Sequence, residues 1–120
     1  MLSMRSSMIA VGLMLLMPSL GCGCQEEVLD EIKSIDNKLI ATVVTRDCGA
    51  TTQGNTWVSI RDSSHNRDDS KQVFVVKRYP HAMQVAWKDA NHLTIHCRDC
   101  KPDEISLQIV QLDSVQISYE

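Results

Sequence analysis

The chain has 120 residues, 12 Lys and Arg against 15 Asp and Glu, and a formal net charge of −3. That length leaves room for one domain, and the acidic balance excludes attraction to nucleic acid or anionic lipid headgroups by charge alone. With one Phe, two Trp and two Tyr to fill a core, a domain this small gains from covalent cross-links.

The opening MLSMRSSMIAVGLMLLMPSLGCGC has Arg5 and the amino terminus as its only positive charges, then the apolar run Met8 to Met17, then Pro18. This is the layout of an export signal; the run is about half of the roughly 20 apolar residues a helix needs to cross a bilayer. Ser19-Leu20-Gly21-Cys22 is similar to a relaxed lipobox, the bacterial signal for cleavage before a Cys that then carries a thioether lipid. The relaxation lies at Ser19, where Leu is usual, and Ser19-x-Gly21 also meets the small-x-small rule of ordinary cleavage. The expectation is a lipoprotein-type signal helix over residues 1–21, Cys22 acylated, and a product anchored to a membrane of the bacterial cell envelope. Simple secretion and an uncleaved signal anchor are the alternatives. Cys24 ranks lower as the acylated residue, because Gly21 and Cys22 would fill its specificity positions. Removing residues 1–21 takes away Arg5 alone and leaves 11 Lys and Arg against 15 Asp and Glu, a net charge of −4.

Five cysteines, Cys22, Cys24, Cys48, Cys97 and Cys100, are an odd number for an exported chain. With lipid on Cys22 the other four can pair, and four cysteines allow three connectivities. Cys24 with Cys48 and Cys97 with Cys100 is favoured, since the second pair is adjacent in sequence and leaves the first two for each other. A Cys24–Cys48 bridge closes a loop of about 25 residues, worth roughly 3 kcal/mol by loop entropy.

From Lys38 onward, alternation with period two dominates and predicts an all-β fold. KLIATVVTR (Lys38 to Arg46) is apolar on both faces and suits a central strand. TWVSI sets Val58 and Ile60 opposite Trp57, and QVFVVK reads as a short buried strand. MQVAWK places Met83, Val85 and Trp87 on one face; HLTIHC sends Leu93, Ile95 and Cys97 inward and His92, Thr94 and His96 outward. ISLQI and VQISY continue the pattern with Ile105, Leu107, Ile109 and Val115, Ile117, Tyr119. The breaks at Ser34 to Asn37, Lys88 to Asn91 and Leu112 to Ser114 supply the Asp and Asn of tight turns. The expectation is a small antiparallel meander or sandwich of about six to eight strands over residues 38–120, with residues 22–37 as lipidated tether and first hairpin arm. EEVLDEIKS fits either an amphipathic helical stretch or a strand hairpinned onto Lys38 to Arg46. KPDEISLQIVQL opens like a helix, but its alternation predicts strand. RDSSHNRDDSK (Arg61 to Lys71) reads as a solvated loop, and no repeat indicates a solenoid or propeller.

Cys97-Arg98-Asp99-Cys100 is the motif closest to chemistry. A redox-active CxxC needs its first thiol at a helix N-terminus, whereas this one follows a strand and has Asp99, Asp103 and Glu104 nearby. A structural disulfide is the expectation; thiol-disulfide exchange or metal handling by Cys97, Cys100 and a distant His81 or His65 is the alternative. His92 and His96 lie about 13 Å apart on a strand at roughly 3.3 Å per residue, too far to share one zinc. No nucleophile elbow, phosphate loop or calcium loop is present, Asp68-Asp69 and Glu26-Glu27 read as solvated acids, and Cys48 has no His near it in sequence. Neither a catalytic residue nor a cofactor is expected, and the sequence leaves a protein or small-molecule partner open.

In TRDCGATT a strand ends at Arg46, Gly49 frees the backbone to turn, and Thr51 and Thr52 can bond the main chain at the corner. Donors around Asp47, Gly49, Thr51 and Thr52 also make this a candidate anion site. The order of signal, Gly-Cys, second Cys, SIDNKLIATVV, RDCGATT, WVSIR, VAWKDANHLTI and VQISYE resembles a family of short bacterial exported proteins, many of them lipoprotein-like, of unknown function. The resemblance implies an exported location and no enzyme activity. In that family a Cys near the mature N-terminus accompanies the one in DCGATT, in agreement with Cys24–Cys48; the chain departs from the pattern at Cys97 and Cys100.

Overall fold

The computed structural model describes residues 24–49, 54–78 and 82–120. The signal segment, Cys22, Thr51, Thr52 and His81 lie outside the described residues. Among the described residues the chain is all-β. The strands are β1 (Gln25–Lys33), β2 (Leu39–Asp47), β3 (Asn55–Asp62), β4 (Lys71–Lys77), β5 (Met83–Asp89), β6 (His92–Cys97), β7 (Ile105–Gln108), β8 (Gln111–Leu112) and β9 (Val115–Tyr119). They form a five-stranded sheet ordered β1-β2-β3-β4-β7 and a four-stranded sheet ordered β5-β6-β9-β8.

Alternation builds the core between them. Ala41, Val43, Val58, Ile60, Phe74 and Val76 of the larger sheet meet Trp87, Leu93, Ile95, Val115 and Ile117 of the smaller. A hydrogen bond and an aromatic contact cross the gap as well. Trp87 on β5 donates from Nε1 to the Ile32 carbonyl on β1 at 2.9 Å, and the Phe74 and Tyr119 rings lie 5.1 Å apart.

The ambiguous EEVLDEIKS segment is a strand, paired antiparallel with β2 from Gln25↔Asp47 to Lys33↔Ile40. Its apolar residues do not alternate strictly because the register shifts between Val28 and Asp30; Leu29, the residue bulged out, is 44% exposed. Acidic side chains close the turns. Asp36, Asp47, Asp62 and Asp89 each accept the backbone N–H two residues on, at 3.2, 3.0, 2.9 and 2.9 Å. These bonds hold Asp36 and Asp62 below the usual carboxylate range, the Ser34 and Ser64 hydroxyls contributing most. Asn37 and Asp113, the turn residues of the β1–β2 and β8–β9 hairpins, take φ of 64° and 54°, the left-handed region that Asn and Asp tolerate.

Two features depart from a simple antiparallel meander. First, β6 and β9 pair in parallel, His92↔Gln116 to Ile95↔Tyr119. The chain between them visits the other sheet through β7, and that excursion is long enough to return β9 in the same direction as β6. Second, the strand expected over ISLQIVQL breaks at Ile109–Val110 and passes from one sheet to the other, which brings the count to nine. The Pro-Asp-Glu start yields only a single 3-10 turn, Pro102–Glu104.

Tyr119 pins this corner. Its hydroxyl donates to the Ile109 carbonyl at 2.5 Å and lies 3.2 Å from the Val73 carbonyl, which also accepts the Ile109 N–H at 2.8 Å. Burial pushes the Tyr119 phenol up to about 12 from 10.0. A raised value means that the folded state holds the proton more tightly than the unfolded state. This contribution is therefore whole below pH 10 and is lost as pH rises towards about 12. Denaturant unfolding of Tyr119→Phe should show a loss of roughly 1–2 kcal/mol at neutral pH. The gap between the two proteins should narrow across that alkaline window. A gap independent of pH would contradict the account.

Candidate functional site

Cysteine placement is simple. Cys24 is bonded to Cys48 with Cα atoms 4.0 Å apart, and Cys97 to Cys100 with Cα atoms 5.5 Å apart. The first bridge ties the chain just before edge strand β1 to the residue just after β2. The second spans the turn that leaves β6 and packs against the core beside Ile105 and Tyr119.

At TRDCGATT, β2 ends at Asp47 and Gly49 takes φ +105°. A Cβ at Gly49 would meet nothing within 4 Å, so backbone conformation alone calls for glycine there. The Gly49 N–H, a donor an anion would need, is bonded to Asp47 Oδ1. Thr51 and Thr52 of the same candidate site lie outside the described residues.

Around the second bridge, the donor atoms of Cys97, Asp99 and Cys100 lie within 4.8 Å of one another. Cys97 Sγ sits 3.8 Å from Asp99 Oδ1; a disulfide sulfur has no proton to donate, so this is a contact and not a hydrogen bond. Both sulfurs are committed to each other, and metal binding would first need two-electron reduction of the bridge. His81 is outside the described residues. His92 engages β9 and His96 the residue after it: His92 Nε2 shares a hydrogen bond with Ser118 Oγ at 2.7 Å, and His96 Nδ1 donates to the Glu120 carbonyl at 3.0 Å. A Ser–His pair on neighbouring strands was not visible in the sequence, since parallel pairing creates it. No carboxylate among the described residues is bonded to the other nitrogen of His92, the place an orienting acid takes in a nucleophilic triad.

A recess lies on the outer face of the five-stranded sheet, away from the core. Cross-strand pairing aligns Val28, Val44, Trp57 and Val75 in a row across four strands. None of the four belongs to the core cluster, which accounts for the apolarity of β2 on both faces. Beside this row is a groove of about 430 Å³ with Val44, Trp57, Ser59 and Gln72 in its floor, Glu26 at one side and Arg67, Asp68 and Ser70 at the other. The second wall comes from the polar segment after β3, exposed from Asp62 to Asp69 as its composition predicts, with Arg67, Asp68 and Ser70 beside the sheet.

That segment is held by its own bonds. Arg61 donates to the His65 carbonyl and reaches Glu31 on β1, with 3.5 Å between the charged atoms. Asp62 Oδ1 also accepts the Ser64 hydroxyl at 2.6 Å, and Ser70 Oγ donates to the Arg67 carbonyl at 2.7 Å. Sequence patterning missed this wall because nothing in RDSSHNRDDSK marks which side of the sheet it will cover. Comparison with known proteins adds no relative: no family model, curated protein or solved structure matches the chain.

Proposed function

We propose that this is a small protein of the bacterial cell envelope, anchored through lipid on Cys22 and displaying its disulfide-stabilised β domain for binding. The disulfide count carries the reading. Four of the five cysteines are bonded to each other, and the one left over stands where a lipobox places its acylated residue. Two bridges also favour an oxidising compartment over the cytosol, and the resemblance to short exported bacterial proteins points the same way. Cys24 is two residues beyond Cys22, at most about 7 Å of extended chain. The Cys24–Cys48 corner would therefore sit at the membrane surface, with the load of the anchor shared between β1 and β2.

Expression in a bacterial host tests this directly. The mature protein is expected to partition into detergent and to show by intact mass a chain starting at Cys22, with acyl groups and no free thiol. Cys22→Ser should move it to the aqueous phase without loss of either bridge. A full-length cytosolic product with five free thiols would sink the proposal.

The cluster of Cys97, Asp99 and Cys100 supports a second role, thiol-disulfide exchange or metal handling at this turn. A bridge reducible at the potential of glutathione-coupled dithiols would favour it; a bridge that resists such buffers leaves only a structural staple.

A further inference from the structure

We propose that the groove over the outer face of the five-stranded sheet is a saccharide-binding site, with the Trp57 indole as its stacking platform. The two tryptophans of the chain have separate fates. Trp87 is in the core with Nε1 bonded to Ile32, whereas Trp57 is half-buried, lies outside the core and lines the groove. Ser59 is 3% exposed, lines the same groove, and its hydroxyl has no hydrogen-bond partner among the described residues. Its hydroxyl, in the floor, can bond a ligand atom there. The side chains of Glu26, Arg67, Asp68 and Gln72 likewise make no hydrogen bond or ion pair among the described residues. Asp36, Asp62, Glu31, Arg61 and Glu104, elsewhere on the surface, are all engaged.

The chemistry of the lining selects the ligand class. Glu26 and Asp68 only accept hydrogen bonds, Arg67 and the Trp57 N–H only donate, and Ser59 and Gln72 do both. That mixture suits hydroxyl groups, which donate and accept, arrayed around a ring whose C–H face can lie on an aromatic surface. The two carboxylates disfavour phosphate and other anions, and Arg67 disfavours a cation. An extended peptide would add at a sheet edge, but the groove lies on a face. At about 430 Å³ it falls in the range of small-ligand sites. The internal bonds of the Arg61 to Ser70 segment hold the wall in place before binding, which reduces the ordering cost. A free oligosaccharide and a glycan strand of the cell wall share this chemistry.

Saccharide binding deepens the display role proposed above but does not depend on the lipid, so its failure would leave acylation of Cys22 intact. The mature, disulfide-bonded protein, as the host exports it, is titrated with N,N′,N″-triacetylchitotriose and with cellotriose, following indole fluorescence. In parallel it is sedimented with insoluble bacterial cell-wall glycan. Binding to either form is expected; a response to the trisaccharides alone assigns a free sugar, and retention by the polymer assigns the wall. Trp57→Ala should weaken binding about tenfold or more. Gln72→Ala and Glu26→Gln, on exposed side chains, should weaken it several-fold with an unchanged melting temperature, so the test does not hinge on the folding of the Trp57 variant. Absence of binding to both trisaccharides and the glycan overturns the proposal, as does full binding by both Gln72→Ala and Glu26→Gln.

Discussion

Replacing Cys24 and Cys48 together by serine should cost the domain about 3 kcal/mol, because the bridge removes the closure entropy of a loop of about 25 residues from the unfolded chain. For a domain of this size the melting temperature should fall by on the order of 15 °C. Local structure sharpens the expectation. β1 is an edge strand with most of its side chains in solvent. Apart from its ladder to β2, it is held by the packing of Ile32, the Trp87 bond to the Ile32 carbonyl and the exposed Glu31–Arg61 pair. Hydrogen exchange in the variant should therefore show the largest loss of protection along Gln25 to Lys33. Cys97→Ser with Cys100→Ser opens only a four-residue loop and should cost less, about 2 kcal/mol by the same entropy relation. Denaturant unfolding without reductant measures both. An equal or reversed order would show that strain or residual structure outweighs loop entropy at one of the two bridges.

Leu93→Ala should be the most damaging single truncation in the smaller sheet, with a loss of about 2–5 kcal/mol. Leu93 is 0% exposed and sits on β6, which has β5 on one side and β9 on the other. Its neighbours are held from two directions by strand pairing, so they cannot collapse into the space left behind. Against a typical total of roughly 5–15 kcal/mol, a loss of that size leaves little reserve, and it should be read from equilibrium unfolding by urea. Val110→Ala supplies the contrast. Val110 is 67% exposed, and its truncation should change stability by less than about 0.5 kcal/mol. A loss below about 1 kcal/mol at Leu93 would mean that the core rearranges around the missing atoms.

The exposed acids contribute at the opposite end of the pH scale from Tyr119. Hydrogen bonds lower Asp36 and Asp62 in the folded state. The support these turns give is therefore present above the ordinary carboxylate range and is lost as pH falls through the lowered values. Together with the Tyr119 corner, this places the stability maximum between the acid and alkaline limits.

The strands themselves were legible because a half-buried sheet imposes alternation on its residues one by one. MQVAWK and HLTIHC show it most clearly: Trp87, Leu93 and Ile95 are in the core, as their positions require. The turns were legible for a similar reason, since an Asp that bonds the N–H two residues on needs only its own neighbours. Gln25 to Lys33 was ambiguous because a bulge at Leu29 interrupts its period, and only its partner strand resolves it.

By itself the sequence determined the local properties of this protein: extended strands, Asp-closed turns, a glycine where φ is positive, and an odd cysteine beside an export-like segment. Each follows from interactions among residues close in the chain. The tertiary structure alone decided the parallel β6–β9 pairing, the sheet switch at Ile109–Val110 and the groove that gathers Glu26, Trp57, Arg67 and Gln72. Those depend on which strands become neighbours and on which face a loop comes to rest, and contacts between distant segments are selected by packing of the whole core, which no local pattern records.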